Sequence, residues 1–390
     1  MNAEFDMLIV GAGIHGAGLA QAAAAHGYRV MVLEQQAIAA GTSSRSSKLI
    51  HGALRYLEQF DLGLVRECLR ERELLLKLAP SLVKLTPFNI PVYTHTRRQP
   101  WEVRAGLSLY ALLGGLKAHA RFSAVSRKHW DSLQGLSQAG LQAVFKYWDA
   151  QTDDAALTRA VMVSAQKLGA RMHMPARFEH ATIHSDACEV TFNEHGTSRT
   201  VLARVLVNAA GPWVDKVAAL ITPKMPRPDI ELIQGAHIIL DTRIVKSIFY
   251  VEAPQDGRAV FIMPWHEHTT LVGTTETPFT GVEPAQVSPL PQEQEYLMAV
   301  VYHYFPHAQT SILSSFAGIR VLPTRKAGAF QRSREIVFVT DRPRFPRVLG
   351  IYGGKLTSYR ADAQQALIHI IDSLPKCRPI ADTRSLTLEQ

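Results

Sequence analysis

A stretch rich in hydroxyl and cationic side chains, SSRSSKLIHGALRY, occupies residues 43–56. It is too polar for a core strand and too weakly periodic for an ordinary surface helix. Serine hydroxyls and backbone amides hydrogen-bond phosphate and sugar oxygens, and cationic side chains pair with anions. These residues therefore predict a loop that binds a large, polar and partly anionic ligand.

The residues before this loop predict a unit that can position such a ligand. Residues 5–10 (FDMLIV) read as a strand, residues 14–26 as an alanine-rich helix and residues 29–33 as a second strand. A strand, a tight turn, a helix and a strand in this order are typical of a dinucleotide-binding unit.

Three glycines mark the turn of this unit. Gly11, Gly13 and Gly16 make the pattern GxGxxG, and Glu34 ends the second strand. The first glycine permits the turn, the second lets the backbone approach a pyrophosphate, and the third lets helix and strand pack closely. The N-terminus of the helix then offers free N–H groups to the phosphates. Because Glu34 can accept hydrogen bonds from a ribose without a 2′-phosphate, FAD or NAD is favoured over NADP.

Three features favour FAD over NAD. Beyond Glu34 the chain enters the serine-rich loop instead of a regular βαβ alternation, and Lys48 and Arg55 of this loop can face anions of a cofactor or substrate. Residues 205–215 (VLVNAAGPWVD) end a strand on small residues that allow a cofactor to approach the backbone. Residues 350–360 (GIYGGKLTSYR) read as a strand, a glycine pair and the start of a helix, whose positive end can face the pyrimidine edge of a flavin.

The composition is that of an ordinary globular protein. The chain has 390 residues, 47% of them hydrophobic, and a formal net charge of +8. Two or three domains are expected at this length.

The three cysteines of the chain stand far apart without a CxxC pair, which argues against a disulfide framework or a zinc site and fits a reducing compartment. The basic charge suits anionic ligands or a lipid surface, and no motif points to nucleic acid. We expect no metal, no secretory signal and no run of roughly 20 apolar residues that could cross a bilayer.

The middle of the chain predicts a second domain. Between residues 223 and 277 the short runs AHIIL, IFYVEA, AVFIMPW and TTLVGTTE are separated by turn residues, as in an antiparallel sheet. We therefore predict an α/β fold in which an antiparallel-sheet substrate domain is inserted into a Rossmann-like FAD-binding domain, with the active site between them. The predicted FAD-binding domain comprises residues 1–84, 146–222 and 318–390, and the predicted substrate domain residues 85–145 and 223–317.

In their order along the chain, these motifs resemble the FAD-dependent glycerol-3-phosphate dehydrogenases, within the D-amino-acid-oxidase-like flavoproteins. The resemblance rests on GAGIHGAG, TSSRSSKLIHGALRYLE, RERELLLKLAP, NAAGPWVD, GAHIIL, FIMPW, LVGTTE, AGIRVLP and YGGKLTSYR.

Three residues depart from the family pattern: Ala12 and His15, where glycine and asparagine are common, and Ala53, where glycine is usual. The family commonly continues into a helical C-terminal domain, which would begin where this chain reads DTRSLTLEQ. The oligomeric state and the mode of FAD attachment are left open.

The resemblance implies a set of FAD contacts from five segments of the chain. They are Gly11, Gly13, Ile14, His15, Gly16, Glu34, Gln35, Thr42, Ser43, Ser44, Ser47, Lys48, Leu49, His51, Gly52, Ala210, Gly211, Trp213, Gly354, Lys355, Leu356 and Thr357.

The resemblance also implies a site for a phosphorylated polyol. It places Arg55, Tyr56, Arg320, Arg334 and Lys355 around the substrate, and arginine binds phosphate through a planar fork of donors. His237 is the candidate base, since an imidazole titrates near neutral pH. With Arg320 and Lys355 it forms the predicted catalytic set. The implied reaction oxidises sn-glycerol 3-phosphate to dihydroxyacetone phosphate by hydride transfer to the flavin.

Electrons then pass to a second acceptor, which the resemblance implies is membrane quinone; oxygen is the alternative. Residues 97–121 predict an amphipathic helix with a stripe of Trp101, Ala105, Leu109, Leu112, Leu113 and Leu116 and a rim of Arg97, Arg98, Arg104, Lys117 and Arg121. Such a helix can lie in a membrane interface or pack on the protein's own core. The expected location is the cytoplasm, with peripheral contact at the cytoplasmic face of the inner membrane.

Two other functions fit the same motifs. One is a related flavin oxidoreductase that acts on an amino acid or a 2-hydroxy acid. The other is a shortened paralogue that binds FAD and a metabolite without turnover. Because a carboxylate needs fewer cations than a phosphate, the set of Arg55, Arg320 and Lys355 favours the phosphorylated substrate.

Overall fold

The computed structural model describes residues 3–324 and 336–389. The strands in chain order are β1 (Phe5–Val10), β2 (Val30–Leu33), β3 (Leu49–Ile50), β4 (Val83–Tyr93), β5 (Ser123–Ala124), β6 (Leu141–Thr152), β7 (Arg171–His173), β8 (Ala176–Ile183), β9 (Cys188–Glu194), β10 (Thr197–Asn208), β11 (Ile221–Thr222), β12 (Ile230–Leu240), β13 (Ile248–Glu252), β14 (Ala259–Trp265), β15 (Thr269–Gly273), β16 (Thr277–Pro278), β17 (Ile312–Pro323), β18 (Val337–Thr340) and β19 (Val348–Tyr352).

The helices pack on the two sheets that these strands form. The α-helices are α1 (Ile14–Ala25), α2 (Leu62–Leu78), α3 (Pro100–Leu113), α4 (Asp154–Lys167), α5 (Val214–Ala218), α6 (Pro291–Tyr304) and α7 (Tyr359–Ile370). Shorter 3-10 helices lie at Thr42–Ser44, Leu54–Gln59, Ala118–Ala120, Arg127–Leu133, Gly211–Trp213, Pro284–Gln286 and Ile371–Ser373.

The first sheet has the strand order β11-β8-β9-β10-β1-β2-β7, with β19 beside β10 and β18 beside β19. Strands β2, β1, β10 and β19 run parallel to one another. Every residue of β1, β2 and β19 is buried, as expected for parallel strands covered on both faces. The alanines of α1 let it lie close to both α4 and α7 on one face.

The second sheet has the order β16-β12-β15-β14-β13-β4-β6-β3, with β17 beside β12 and β5 beside β6. Its pairs are antiparallel except for β4 with β13. The four short runs predicted as strands are β12, β13, β14 and β15, so the antiparallel sheet is confirmed. The α/β class, with a Rossmann-like unit and this second sheet, is confirmed as well.

The predicted domain boundaries divide the chain differently from the sheets. The boundaries at 145/146 and 317/318 fall inside β6 and β17, and each of these strands belongs entirely to the second sheet. Both strands pair along nearly their whole length with β4 and β12 of the second sheet, so the predicted boundaries do not separate the two sheets. The sequence pattern marks where a strand begins but does not show which sheet receives it.

The parallel strands of the first sheet end at a common edge. Gly11, Glu34, Ala209 and Gly353 each follow directly on the last residue of β1, β2, β10 or β19. In open α/β sheets, ligands bind in the crevice outside the carboxyl ends of such strands. The fold therefore directs the site to this edge, where the second sheet faces it.

Candidate active site

A cavity of about 1110 Å³ opens at this edge and is lined from both sheets. Sites for drug-sized ligands are typically about 300–1,000 Å³. The cavity therefore has room for a ligand as long as a dinucleotide with a small molecule beside it. Most of the predicted site residues line the cavity. The exceptions are Gly16, Ser44, Lys48 and Gly52. Arg334 lies outside the described residues.

The glycines of the first turn have separate roles. Gly11 has a φ of 104°, and a Cβ there would lie 2.7 Å from the carbonyl oxygen of Ala209. A Cβ on Gly16 would lie 1.9 Å from the carbonyl oxygen of Gly11, so Gly16 permits helix packing and does not line the cavity. A Cβ on Gly13 would meet only the hydroxyl of Ser43, at 3.2 Å. Gly13 therefore keeps space open for a ligand, as the dinucleotide pattern predicts.

Glu34, the predicted ribose-binding residue, lies at the wall of the cavity. This carboxylate accepts hydrogen bonds from the backbone N–H groups of Ala12 (2.9 Å) and Gln36 (2.8 Å), which hold it at the cavity wall. Beyond it, apolar atoms of Phe178, Val217 and Leu220 line the same end. An apolar wall of this kind can pack against a planar ring. Sequence reasoning missed it because the three residues come from β8, from α5 and from the turn that follows α5.

The serine-rich loop lines the cavity, but three of its predicted residues, Ser44, Lys48 and Gly52, do not. Lys48 does not face a ligand anion, because its ammonium forms a buried salt bridge with Asp154 (2.5 Å). Gly52 faces protein, because a Cβ there would lie 2.3 Å from the hydroxyl of Tyr110. Ser47 does face the cavity, and its hydroxyl lies 3.0 Å from Nε2 of His237.

The glycine pair after β19 forms the opposite wall. Gly353 and Gly354 have φ values of 78° and 96°. A Cβ on Gly354 would lie 2.3 Å from Nε2 of His15. The absence of a side chain on Gly354 therefore leaves room for this imidazole between the turn after β1 and the turn after β19. His51 is tied to the same wall, because its backbone N–H donates to the hydroxyl of Thr357 (3.2 Å).

Cationic side chains surround one carboxylate at the substrate end. Arg320 donates from Nη1 to Glu276 (2.8 Å) and from Nη2 to the hydroxyl of Thr274 (3.0 Å). Arg258 donates to the backbone carbonyl of Glu276 (2.8 Å), and Arg55 lies within electrostatic range of the same carboxylate. The Lys355 ammonium lies 5.0 Å from the centre of the Tyr56 ring, over which Arg55 also stacks at 4.9 Å. The predicted cations thus lie close together, whereas Arg258 and Glu276 were missed. Nothing in the local sequence marks Arg258, but Glu276 ends the motif LVGTTE, a signal that could have identified it.

His237 is buried, at 2% exposure, on β12 and stacks on Phe316 with ring centres 4.9 Å apart. Burial, reinforced by the positive charges of Arg320 and Lys48, lowers the pKa of His237 to about 3. The imidazole is therefore neutral near pH 7, the form that can accept a proton. In this state it is a weaker base than an ordinary histidine.

His15 and Asp362 form a second buried pair behind the glycine wall. Nδ1 of His15 lies 3.9 Å from the carboxylate of Asp362, which accepts a hydrogen bond from the hydroxyl of Ser358 (2.9 Å). Burial lowers the pKa of His15 to about 4. Burial also raises the pKa of Asp362 to about 7. Because folding raises the pKa of Asp362, the contribution of this carboxyl group to the free energy of unfolding should depend on pH.

We expect Asp362→Asn to stabilise the protein more at pH 8 than at pH 5. Between its usual value of 3.8 and about 7, Asp362 binds a proton in the folded but not in the unfolded protein. Its contribution to stability is thus lost as pH rises through that window. The gain on substitution should grow by roughly 2–3 kcal/mol from pH 5 to pH 8. Denaturant unfolding at both pH values measures it, with the exposed Asp372→Asn as control. An equal effect at the two pH values would contradict the prediction.

The chain matches a family of known flavoproteins. Residues 6–360 match the family of FAD-dependent oxidoreductases described as DAO, so the chain belongs to that family. The predicted resemblance and the predicted FAD cofactor are confirmed. The protein is an FAD-dependent oxidoreductase.

Two similar proteins are dehydrogenases of phosphorylated polyols. The chain is 36% identical over 379 residues to the glycerol-3-phosphate dehydrogenase of Pseudomonas aeruginosa, covering 94% of this chain and 71% of that protein. It is 33% identical over 376 residues to the D-erythritol 1-phosphate dehydrogenase of Brucella abortus, covering 95% and 74%. The crystal structure of glycerol-3-phosphate dehydrogenase from Bacillus halodurans complexed with FAD matches with a TM-score of 0.76 and 25% identity, covering 98% and 67%.

Proposed function

We propose that the protein oxidises sn-glycerol 3-phosphate to dihydroxyacetone phosphate and passes the electrons to quinone. The observation that carries the proposal is the group of Arg55, Arg258, Arg320 and Lys355 around the substrate end of the cavity. Arg320 pairs with Glu276 and Arg258 with Asp256. A dianionic phosphate suits a site where Arg55 and Lys355 line the same cavity beside these two arginines. The names of the two relatives support a phosphorylated polyol as the substrate class.

The residues of the cavity fit FAD. The open face of Gly13, the carboxylate of Glu34 and the glycine pair at 353–354 would hold its pyrophosphate, its ribose and its flavin end, respectively. The chemistry that FAD supplies when bound is acceptance of a hydride. Positioning of the substrate, exclusion of water and proton transfer are left to the protein.

In the proposed mechanism, Arg55, Arg320 and Lys355 bind the substrate phosphate and fix the C2 hydroxyl near His237. Nε2 of His237 accepts the hydroxyl proton as C2 loses its hydride. Its hydrogen bond with Ser47 (3.0 Å) orients the ring. A bound phosphate would offset the charge of Arg320, one of the cations that keep the pKa of His237 low. Substrate binding would thus raise the basicity of the imidazole when a base is needed.

Anaerobic titration tests the proposal. Addition of sn-glycerol 3-phosphate to the FAD-loaded protein should bleach the flavin absorbance stoichiometrically. D-Erythritol 1-phosphate, L-lactate and glycine serve as comparisons. Bleaching only by lactate or glycine would instead identify an amino-acid or hydroxy-acid oxidoreductase. Binding of phosphorylated polyols without bleaching would identify a non-catalytic binding protein.

Helix α3 supports a membrane contact for the quinone. The described residues contain no helix long and apolar enough to cross a membrane. The helix covers Pro100–Leu113, which is shorter than predicted, and its packed face is Val103, Leu107, Tyr110 and Ala111. The outer side exposes Trp101 (70%) and Leu112 (59%), and Leu116 (54%) follows beyond the helix. One correction concerns the basic rim: Arg98 forms salt bridges with Glu58 and Glu252.

We expect Trp101→Ala, Leu112→Ala and Leu116→Ala combined to abolish binding to anionic liposomes. Insertion of these side chains adds apolar burial to the attraction of the exposed Arg97, Arg104 and Arg121, about 1 kcal/mol per basic residue near an anionic surface. The variant should keep its activity with an artificial dye but lose activity with membrane quinone. Co-sedimentation measures binding, and Val282→Ala with Leu313→Ala, exposed elsewhere, is the control. If the wild type does not sediment with liposomes at low salt, a soluble acceptor or oxygen replaces quinone.

A further inference from the structure

A buried polar cluster lies behind the turn that leads into Arg55 and Tyr56. It consists of Arg72 on α2, Tyr110 on α3 and Asp149 on β6, which are 0%, 2% and 1% exposed. The proposed mechanism uses none of them, although Asp149 also lines the cavity. Burying a charged pair is costly, and an apolar replacement of similar size often stabilises a protein at least as well. The cluster therefore calls for a role beyond holding the core together.

Its hydrogen bonds converge on one backbone group. The N–H of Gly52 donates to the hydroxyl of Tyr110 (2.8 Å) and to Oδ1 of Asp149 (3.2 Å). Tyr110 in turn donates to Oδ2 of Asp149 (2.8 Å), and Arg72 donates to Oδ1 (2.6 Å). Because a Cβ on Gly52 would lie 2.3 Å from the Tyr110 hydroxyl, only glycine brings the backbone this close.

The conformation of Ala53, the residue after Gly52, shows why the hydrogen bonds that anchor Gly52 are needed. Ala53 has φ 59° and ψ 42°, the left-handed region, which costs a residue with a Cβ about 1–2 kcal/mol. Such a conformation persists only where the surrounding structure imposes it. The 3-10 helix Leu54–Gln59 starts directly after Ala53 and carries Arg55 and Tyr56 to the cavity. The position of both side chains thus depends on the turn at Gly52 and Ala53.

We propose that Tyr110 and Asp149, with Arg72 behind them, are positioning residues that hold the Gly52–Ala53 turn so that Arg55 and Tyr56 face the substrate phosphate. The role rests on the proposed function for the identity of the substrate. Binding of FAD depends mainly on other elements, namely the turns after β1, β2 and β19. Loss of the anchor should therefore weaken binding of the phosphate and leave FAD in place.

Tyr110→Phe tests the proposal by removing a single hydroxyl. Loss of a hydrogen bond of typical strength should raise KM for sn-glycerol 3-phosphate and the dissociation constant of inorganic phosphate by roughly 3- to 10-fold. FAD content and kcat should change little. Asp149→Asn, which removes one of the two carboxylates paired with Arg72 and leaves only Glu73, should raise both constants further.

Tyr93→Phe is the matched control. Tyr93 is equally buried, and its hydroxyl donates to the carbonyl of Ser137 (2.6 Å) in the other part of the second sheet's core. A merely structural role predicts that both variants lower Tm and neither changes phosphate binding. That result, or unchanged phosphate binding by Tyr110→Phe, overturns the proposal.

Hydrogen exchange on the wild-type, FAD-loaded protein provides a readout that does not depend on the substrate. The Gly52 amide should exchange slowly in the wild type. In the Tyr110→Phe variant, amides in peptides covering residues 49–60 should exchange faster. Fast exchange of Gly52 in the wild type overturns the proposal even if no variant folds. Slow exchange and phosphate binding in a protein that sn-glycerol 3-phosphate does not bleach would reject only the proposed function.

Discussion

Replacing Gly13 by valine should give a folded protein that has lost FAD. A Cβ at this position meets only the Ser43 hydroxyl, at 3.2 Å, and the backbone has an ordinary φ of −72°. The fold should therefore accept the side chain with small adjustments. The valine methyl groups, however, would fill the space through which a pyrophosphate approaches the helix N-terminus. We expect no flavin absorbance in the purified variant and no recovery when FAD is added.

Valine substitutions at two further glycines serve as comparisons for this experiment. Gly106 on α3 has no atom within 4 Å of a built Cβ, so Gly106→Val is a control that should retain FAD. Gly16→Val should fail differently, by lowering stability, because its Cβ would lie 1.9 Å from the carbonyl oxygen of Gly11. Full retention of FAD by a folded Gly13→Val protein would show that the pyrophosphate does not bind at this turn.

Truncation of Arg320 should have the second largest effect. Loss of one member of a desolvated charge pair typically costs about 2–5 kcal/mol, and Arg320 is 19% exposed beside Glu276. Arg320→Ala should thus lower kcat/KM for sn-glycerol 3-phosphate by roughly thirty-fold to several thousand-fold. Removal of the guanidinium also leaves the Glu276 carboxylate facing the incoming phosphate, which adds repulsion. FAD should remain bound.

Steady-state kinetics with an artificial electron acceptor measure this effect. Arg320→Lys keeps the charge but loses the planar fork, so it should lie between the wild type and the alanine variant. Arg199→Ala removes an arginine that is 56% exposed and paired with Glu194 in the first sheet, and it should leave kcat/KM unchanged. If Arg320→Ala has wild-type kinetics, the substrate phosphate lies elsewhere in the cavity.

The position of the glycine turns and of Glu34 at the cavity could be predicted because it follows from local backbone geometry. A strand, three glycines, a helix and an acid at the end of the next strand occupy one continuous segment, residues 5–34. The spacing alone brings the glycine turn and Glu34 to one edge, since neighbouring parallel strands end side by side. Residues 350–357 follow the same rule, because they form a strand and the glycine turn after it.

The partners of the charged residues could not be predicted in this way. Lys48 was expected to face an anion, but it pairs with Asp154, 106 positions away in the sequence. Glu276 meets Arg320, and Tyr110 meets Gly52, only because separate elements pack together. No spacing rule relates such residues, since each pair depends on how whole elements dock. The sequence by itself thus determined the class of cofactor and the unit predicted to hold it, whereas the tertiary structure alone decided which charges line the cavity and which neutralise one another in the interior.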